Sequence, residues 1–325
     1  MEMNLKRVGK NIFLKNNIKI LIVGSGNQAE NYLKVFSKHK ISIHTICVTK
    51  RSKKKAIKLQ KKYKIQNIGY DINKIIKENK FNFIFLLITW DKIQNYILKI
   101  VKNIDCPIFA EKPIALSYNK LNKINKISSI LNKKIYVLYN RRFFETVNIL
   151  RKKVKSSKQY KFSVNIPEQN QRIINKYGKN IKKKIKYFIS SHWLDLIFYI
   201  CGNMKILKIF VNQSIASIIL KNNKCIGTVN FYFNTIDKIR FNFYTSKLNL
   251  ELNPLEKLYI TSNIRKDKNN YLLNKKLIKD ISSQHLKPGI ENIIKSIFFK
   301  KNYRNFLPTV TDLKPNYKVL EKLNH

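Results

Sequence analysis

The apolar residues of the first 140 positions form short continuous runs separated by amphipathic segments. The runs cover residues 18–23, 41–49, 82–89, 107–110 and 134–139. Continuous apolar runs of this length are typical of strands covered on both faces of a parallel sheet. Helical spacing fills the gaps at residues 27–38, 53–63, 75–79, 92–102 and 117–131. This alternation predicts an α/β fold with a doubly wound, parallel Rossmann sheet.

The pattern changes after residue 140. A helix near 145–154 is followed by predicted strands at 159–166, 206–213, 216–220, 225–233, 240–245, 248–252 and 257–260. Their spacing and their asparagine-containing turns are typical of an antiparallel sheet. Further helices are expected at 192–201, ending at Gly202, and at 270–282 and 289–299. We predict a Rossmann domain over residues 1–140 and a C-terminal α+β domain over 141–325, with an open, mostly antiparallel sheet and C-terminal helices.

Composition limits the class of protein further. The chain has 325 residues, 44% hydrophobic and 12% aromatic, which fits a globular protein. No apolar run approaches the roughly 20 residues of a membrane span, and no apolar leader core precedes Ile18. We therefore expect a cytoplasmic protein that does not enter a membrane. The four cysteines have no metal-ligand spacing, so we expect buried thiols and no metal site.

The net charge of +48 would suit a nucleic-acid-binding protein. However, the chain contains 57 lysines against nine arginines, and the lysines are spread over its whole length. Lysine, asparagine and isoleucine share A/T-rich codons, so biased genome composition explains this excess better than function. We expect no specific nucleic-acid partner, although the charge should attract phosphorylated small molecules.

A glycine-containing turn follows the first predicted strand. Gly24 permits a tight turn, Gly26 allows the backbone to approach a pyrophosphate, and the helix from Asn27 directs its free N–H groups toward it. Ligands of such sheets bind outside the carboxyl ends of the strands. On this basis the predicted cofactor-binding residues are Gly24, Ser25, Gly26, Asn27, Gln28, Thr49, Lys50, Arg51, Ser52, Thr89 and Glu111.

The end of the second strand bears on the choice of cofactor. Enzymes that use NAD usually present an acid there to the ribose hydroxyls, but residues 49–52 contain none. Arginine is rare in this chain, so Arg51 is the informative residue. A guanidinium and two hydroxyls suit a 2′-phosphate. The sequence favours NADP(H), with NAD(H) as the alternative.

Two residues are predicted to be catalytic. Lys112 follows an apolar strand, lies between Glu111 and Pro113, and can donate to a substrate hydroxyl or carbonyl oxygen. His192 is expected in the first turn of a helix capped by Ser190 or Ser191. The helix dipole there disfavours the imidazolium, which keeps the ring able to accept a proton. Asp195 lies one turn further on the same face, where it could orient the ring.

These segments resemble the glucose–fructose oxidoreductase / inositol dehydrogenase family (Gfo/Idh/MocA). The motifs that carry the resemblance are Gly24-Ser-Gly26, Glu111-Lys-Pro113, Tyr139-Asn-Arg-Arg-Phe143, His192-x-x-Asp195, Lys287-Pro-Gly289 and Leu307-Pro-Thr309. It implies nicotinamide-dependent oxidation or reduction of a sugar, cyclitol or nucleotide-sugar carbon, with Lys112 and His192 at the reacting hydroxyl. It also implies substrate contacts from Asn140, Arg141 and Asp195, and a homo-oligomer formed through the C-terminal sheet.

The sequence departs from this family at one position. Many members have an acid four residues before the histidine, where this chain has Phe188. The residues around Arg141 and Ser190 are similar to those of family members from surface-polysaccharide and acidic-sugar biosynthesis. The leading hypothesis is an NAD(P)-dependent sugar oxidoreductase. A non-catalytic dinucleotide-binding sensor or scaffold of the same fold is the alternative, and a basic nucleic-acid-associated protein is the third reading.

Overall fold

The structure is a computed structural model that describes residues 18–323 except 268–269 and 284–285, with residues 263–273 described by their backbone alone. Residues 1–17, in which we expected no leader, lie outside the described residues. The first elements are β1 (Ile20–Val23), α1 (Asn27–Lys38), β2 (Thr45–Cys47), α2 (Lys53–Tyr63), β3 (Asn67–Gly69), α3 (Ile72–Glu78), β4 (Phe83–Leu86), α4 (Ile93–Ile100), β5 (Ile108–Ala110), α5 (Tyr118–Ile130) and β6 (Ile135–Val137).

These six strands form one parallel sheet in the order β3-β2-β1-β4-β5-β6. The predicted α/β class and doubly wound parallel sheet are confirmed. β1, β2, β5 and β6 are buried throughout, which explains why they appear in the sequence as unbroken apolar runs. β3 was not predicted, because it is a three-residue edge strand with no buried residue.

The remaining elements are α6 (Glu145–Lys155), β7 (Tyr160–Glu168), α7 (Asn170–Tyr177), α8 (Ile185–Phe188), α9 (Ser190–Cys201), β8 (Lys205–Val211), β9 (Ile215–Lys221), β10 (Cys225–Phe233), β11 (Arg240–Thr245), β12 (Asn249–Leu252), β13 (Lys257–Asp267), β14 (Asn270–Asp280), α10 (Ile290–Ile294) and α11 (Lys314–Lys322). The eight strands form a second sheet in the order β14-β13-β12-β11-β7-β10-β9-β8. Only the β7–β10 pair is parallel.

The predicted helix over residues 270–282 is wrong. This segment is β14, whose backbone pairs antiparallel with β13 from Asp267↔Asn270 to Lys257↔Asp280. The sequence is misleading here because the apolar residues 273 and 277 are four positions apart, which is the spacing of one helix face. Hairpin pairing with the preceding strand overrides that local pattern.

The described chain forms two compact units. The first comprises residues 18–115, 119–138 and 290–312, and the second comprises 116–118, 139–289 and 313–323. We had placed residues 290–312 in the C-terminal domain, but they pack in the Rossmann unit. The reason is Phe298, whose ring lies 5.8 Å from that of Phe36 and 5.0 Å from that of Phe83. In the described part of the chain no helix has the length and apolarity needed to cross a membrane.

Candidate active site

The carboxyl edge of the parallel sheet brings several of the predicted cofactor-binding residues together in the first unit. The chain leaves β1, β4 and β5 at matching positions, because Val23 pairs with Leu86 and Leu86 pairs with Ala110. Backbone bonds continue this register beyond the strands, since the Glu111 N–H donates to the Leu86 carbonyl at 3.0 Å. Gly24, Glu111 and Lys112 therefore follow strand ends along one edge, where α/β sheets bind ligands.

The two glycines of the turn have different physical roles. Gly24 has a φ of +112°, and a Cβ at this position would lie 2.5 Å from the Leu87 carbonyl oxygen. Both the backbone angle and the close approach require glycine. Gly26 has an extended backbone, and a Cβ there would meet nothing within 4 Å. That open space lies directly before the first turn of α1, where a pyrophosphate is stabilised by free N–H groups and the helix dipole. The turn therefore fits a dinucleotide.

A side-chain hydrogen bond joins the start of α1 to the end of β5. The Gln28 amide donates from Nε2 to Oε1 of Glu111 at 3.0 Å, and Glu111 is only 7% exposed. The neighbouring Lys112 is half-buried and is followed by a cis peptide bond to Pro113. The Gln28–Glu111 hydrogen bond fixes the strand end that carries Lys112 against the helix that begins at the glycine turn.

The end of β2 has the form expected of a ribose-binding turn without an acid. Residues 50–52 make one 3-10 turn in which the Ser52 N–H donates to the Thr49 carbonyl at 2.9 Å. The Thr49 and Ser52 hydroxyls are 3.3 Å apart, and Arg51 is exposed beside them. Thr89, after β4, is also exposed. The turn thus presents hydroxyls and cations to solvent, and such groups can bind an anion.

The start of α9 in the second unit differs from the prediction. We expected Ser190 or Ser191 to cap the helix, but both are already helical and the residue before the helix is Ile189. The Ser190 hydroxyl instead donates to Oε2 of Glu168 at 3.1 Å, and the Ser191 hydroxyl donates to the Tyr187 carbonyl. The cap prediction failed because α8 runs almost directly into α9, so the first turn of α9 does not meet solvent.

His192 is the third residue of α9 and is half-buried. Its ring stands edge-on to the ring of Tyr139, with centroids 5.4 Å apart. Its backbone N–H donates to the Ile189 carbonyl, so the dipole effect that we expected from a free helix terminus is reduced here. Phe188, which occupies the position of the family acid, packs edge-on to the ring of Tyr177 at 5.5 Å.

Asp195 has a partner that the sequence did not predict. Its two carboxylate oxygens accept hydrogen bonds from Arg142, from Nε at 2.8 Å and from Nη2 at 2.6 Å. Asp195 is only 1% exposed. A buried carboxylate held by a two-bond guanidinium contact is an anchor between α9 and the turn at residues 140–143. The ring-orienting and substrate-binding roles of Asp195 stay predictions beside this observed structural one.

Asn140 and Arg141 begin that same turn. The Asn140 amide donates to the Pro288 carbonyl at 2.9 Å, so this side chain holds the 288–289 segment. The Arg141 guanidinium lies 3.4 Å from the ring centre of Trp193, and its Nη1 is buried with no hydrogen-bond partner among the described residues. Burial lowers the pKa of Arg141 to about 9, against the opposing effect of Glu256 and Glu168, so the guanidinium is cationic at neutral pH.

Sequence reasoning missed Glu168, Ser190 and Trp193 as members of this site. A signal for Glu168 was present in the sequence. Every second residue of β7 is buried, and Glu168 lies on the same buried face as Val164 and Ile166. An acid on the buried face of a strand indicates a polar site. In the described ranges no three His, Cys, Asp or Glu residues are grouped in a way that could hold a metal ion.

Comparisons with known proteins match the Rossmann part of the chain to a family model. Residues 18–139 match the Gfo/Idh/MocA family model, described as an oxidoreductase family with an NAD-binding Rossmann fold. This match confirms the predicted resemblance to the family over the Rossmann part of the chain. No curated protein sequence matches the chain.

Solved structures of low sequence identity share the fold of nearly the whole chain. A dehydrogenase (MviM) from Clostridium difficile is 18% identical with a TM-score of 0.70, covering 94% of this chain and 98% of that one. Levoglucosan dehydrogenase in complex with NADH and levoglucosan is 13% identical with a TM-score of 0.74, covering 95% and 96%. The WlbA dehydrogenase from Chromobacterium violaceum, in complex with NADH and UDP-GlcNAcA, is 13% identical with a TM-score of 0.70, covering 94% and 92%.

The Arg142–Asp195 pair gives the first prediction. Asp195→Asn leaves the Arg142 guanidinium, whose side chain is 11% exposed, without its carboxylate. Because breaking a buried ion pair strands a charge, we expect a loss of about 3–5 kcal/mol in the free energy of unfolding, measured by urea denaturation. The control is Asp237→Asn, which breaks the surface pair with Arg240, where both side chains are 48% exposed and a loss below about 1 kcal/mol is expected. Equal losses in the two variants would show that the buried pair is not an anchor.

Proposed function

We propose that this protein is a dehydrogenase that transfers hydride between a nicotinamide cofactor and a carbinol carbon of a sugar, cyclitol or nucleotide-sugar. The observation that carries the proposal is the Gln28–Glu111 bond at the carboxyl edge of the parallel sheet. It joins the dinucleotide turn to the strand end with Lys112, so that cofactor-binding and reactive groups occur on one edge. Residues 24–28 would hold the pyrophosphate, and residues 49–52 would hold the adenosine ribose.

The protein's own contribution to the reaction is positioning and proton transfer. Residues 24–28 and 49–52 would hold a nicotinamide cofactor, which would supply the hydride chemistry when bound. Lys112 donates a hydrogen bond to the substrate oxygen, and His192 takes up or returns the proton of the reacting hydroxyl. Because Phe188 packs on Tyr177 and carries no titratable group, the chain has no acid at the family's position, and His192 exchanges its proton without one.

The substrate class is supported by what two of the related structures contain. Levoglucosan dehydrogenase holds levoglucosan, and the WlbA dehydrogenase holds UDP-GlcNAcA. Both ligands are carbohydrate derivatives. The similarity of the Arg141 and Ser190 segments to members from surface-polysaccharide biosynthesis supports a role in that process.

Replacement of Lys112 tests the proposal. Lys112→Met should retain the fold and cofactor affinity but lose turnover by about 10²–10⁴-fold, because one acid–base participant is removed. The measurement is the change in nicotinamide absorbance with a panel of sugars and nucleotide-sugars, alongside cofactor titration. Lys123→Met, at an exposed position of α5, is the matched control and should turn over normally.

Two other outcomes of this assay would contradict different parts of the proposal. A Lys112→Met variant within a few-fold of the wild-type protein would remove Lys112 from the mechanism. Cofactor binding by the wild-type protein without turnover of any carbohydrate would instead favour the non-catalytic sensor or scaffold.

We further propose that NADP(H) is preferred over NAD(H). Three related solved structures are complexes with NAD+ or NADH, which supports NAD(H) as the alternative cofactor. Residues 49–52, however, offer Arg51 and two hydroxyls and no acid. Arg51→Gln should weaken NADP(H) selectively by about 1.5–3 kcal/mol, the range for a charge-assisted contact, as measured by calorimetry.

The control for Arg51 is Lys54→Gln, which removes an exposed charge from the next turn of the chain. We expect it to change the affinities for NADP(H) and NAD(H) equally and slightly. Equal losses of both cofactors in Arg51→Gln would show that Arg51 does not read the 2′-phosphate.

We also propose a homo-oligomer formed through the outward face of the eight-stranded sheet. This face carries partly exposed apolar side chains, including Ile215 (38% exposed), Ile226 (39%) and Tyr244 (43%), on three of its strands. Sedimentation should show an oligomer that Ile226→Lys dissociates, because a lysine in an apolar interface is costly to desolvate. Ile236→Lys, at a 93% exposed loop position, is the control and should leave the assembly intact. A monomeric wild-type protein would contradict the proposal.

A further inference from the structure

Three sulfur-containing side chains meet at one end of the second unit. Cys201 is the last residue of α9, Cys225 is the first residue of β10, and Met204 lies between α9 and β8. The Cys225 Sγ lies 3.9 Å from the Met204 Sδ, and the thiols of Cys201 and Cys225 are hydrogen-bonded to each other. The chain contains only four cysteines and three methionines in 325 residues, so composition alone does not account for this cluster.

The side chain of Asn222 holds the two cysteines together. Its Nδ2 donates to the Cys201 carbonyl at 2.9 Å. Its Oδ1 accepts hydrogen bonds from the backbone N–H of Cys225 at 2.9 Å and from the Cys225 thiol at 3.3 Å. The Asn222 N–H also donates to the Cys225 carbonyl at 2.9 Å. One residue therefore contacts both the end of the helix and the start of the strand, which keeps the two thiols within reach of each other in the folded protein.

The cysteines of the chain differ in acidity. The hydrogen bond from the Cys201 thiol is the main cause that lowers the pKa of Cys225 to about 7, and with one from the Tyr160 hydroxyl it outweighs burial. Burial, and then the same bond to Cys225, raise the pKa of the Cys201 thiol well above its usual value. Burial also raises the pKa of Cys47 to about 12 and that of Cys106 to about 11. Because the thiolate is the nucleophile, Cys225 is the most reactive of the four thiols at neutral pH.

A small oxidant can reach Cys225 from the surface. Cys225 is only 4% exposed, but it lines a surface groove of about 490 Å³. Lys161, Lys221 and Lys224 line the same groove, and none of its lining residues is acidic. This cationic lining favours a thiolate on Cys225. Cys201 is not among the described residues that line the groove, so an oxidant that enters there meets Cys225 first.

We propose that Cys225 and Cys201 form a peroxide-responsive dithiol site, in which Cys225 is the thiol that is oxidised and Cys201 resolves it to a disulfide. A nucleophilic thiol beside a second, resolving thiol is the arrangement found in redox-sensor cysteines. The disulfide would join the end of α9 to the start of β10 and close a loop that contains β8 and β9. The inference does not rest on the proposed dehydrogenase reaction, which uses neither cysteine.

The reaction has two balanced steps, with hydrogen peroxide as the oxidant. In the first, the Cys225 thiolate attacks one peroxide oxygen, the O–O bond breaks, hydroxide leaves, and Cys225 becomes a sulfenic acid. In the second, the Cys201 sulfur attacks the Cys225 sulfur, the S–O bond breaks, and the hydroxyl leaves as water with the proton of the Cys201 thiol. In total, two thiols are oxidised to one disulfide and one peroxide is reduced to two waters. A dithiol reductant reverses the change by thiol–disulfide exchange.

The test follows each thiol in the folded, full-length protein. The reduced protein is treated with a small excess of hydrogen peroxide at neutral pH, the remaining thiols are alkylated, and the peptides are mapped by mass spectrometry. We expect a disulfide between Cys201 and Cys225 as the main product, and dithiothreitol should reverse it. Without peroxide, iodoacetamide should alkylate Cys225 at least about 10-fold faster than Cys47 or Cys106, because only Cys225 has an appreciable thiolate fraction at this pH.

Three variants separate the roles of the thiols. Cys201→Ser removes the resolving thiol, so the sulfenic acid on Cys225 should persist and be trapped by dimedone. Cys225→Ser should leave Cys201 unmodified by the same amount of peroxide. Cys106→Ser is the control, since it removes a half-buried thiol of the first unit, and it should form the disulfide at the wild-type rate.

Two results would overturn the proposal. One is that peroxide gives no disulfide between Cys201 and Cys225 in the folded protein, or gives it only after denaturant is added. The other is that Cys47 or Cys106 is oxidised before Cys225. Both results are obtained with the wild-type protein, so they decide the matter even if a serine variant fails to fold.

Discussion

The parallel register of β1, β4 and β5 determines where chemistry can occur in the first unit. Since the three strands end level with one another, the residues that follow them share one edge. The turn after β1 can pack against the chain beyond β4 only because Gly24 has no side chain, as any Cβ would collide with the Leu87 carbonyl. The Gln28–Glu111 bond then transmits the position of the turn to the strand end that carries Lys112.

The second unit depends on the balance of buried charge around two consecutive arginines. Arg142 and Asp195 neutralise each other with good geometry, which is the condition under which a buried ion pair is tolerated. This pair ties α9, and therefore His192, to the turn that contains Arg141.

The sequence predicted those features that local physics determines. β10 and β11 have the predicted bounds because their alternation is unambiguous, and the glycine turn was predicted because its backbone angle and close approach leave few other residues acceptable. Features that depend on distant partners were missed or misassigned. β14 became a strand through pairing with β13, and residues 290–312 joined the first unit through Phe298, and neither contact can be deduced from local spacing.

The candidate site shows the same difference between features set by local sequence and features set by distant partners. Gly24 and Gly26 were predicted from local sequence alone, whereas the partners of Asp195 and Ser190 were not: the first lies 53 residues away and the second 22. Composition also limited what the sequence could predict about the site. With 57 lysines spread along the chain, a lysine in a motif carries little information, whereas each of the nine arginines is distinctive. Arg141 and Arg142 are two of those nine, and their geometric demands are stricter than those of a lysine, since a planar guanidinium needs partners in its own plane. Where the fold supplies those partners, as at Asp195, the arginine is structural. Where it supplies an aromatic face, as Trp193 does for Arg141, the fold leaves Nη1 buried without a hydrogen-bond partner among the described residues.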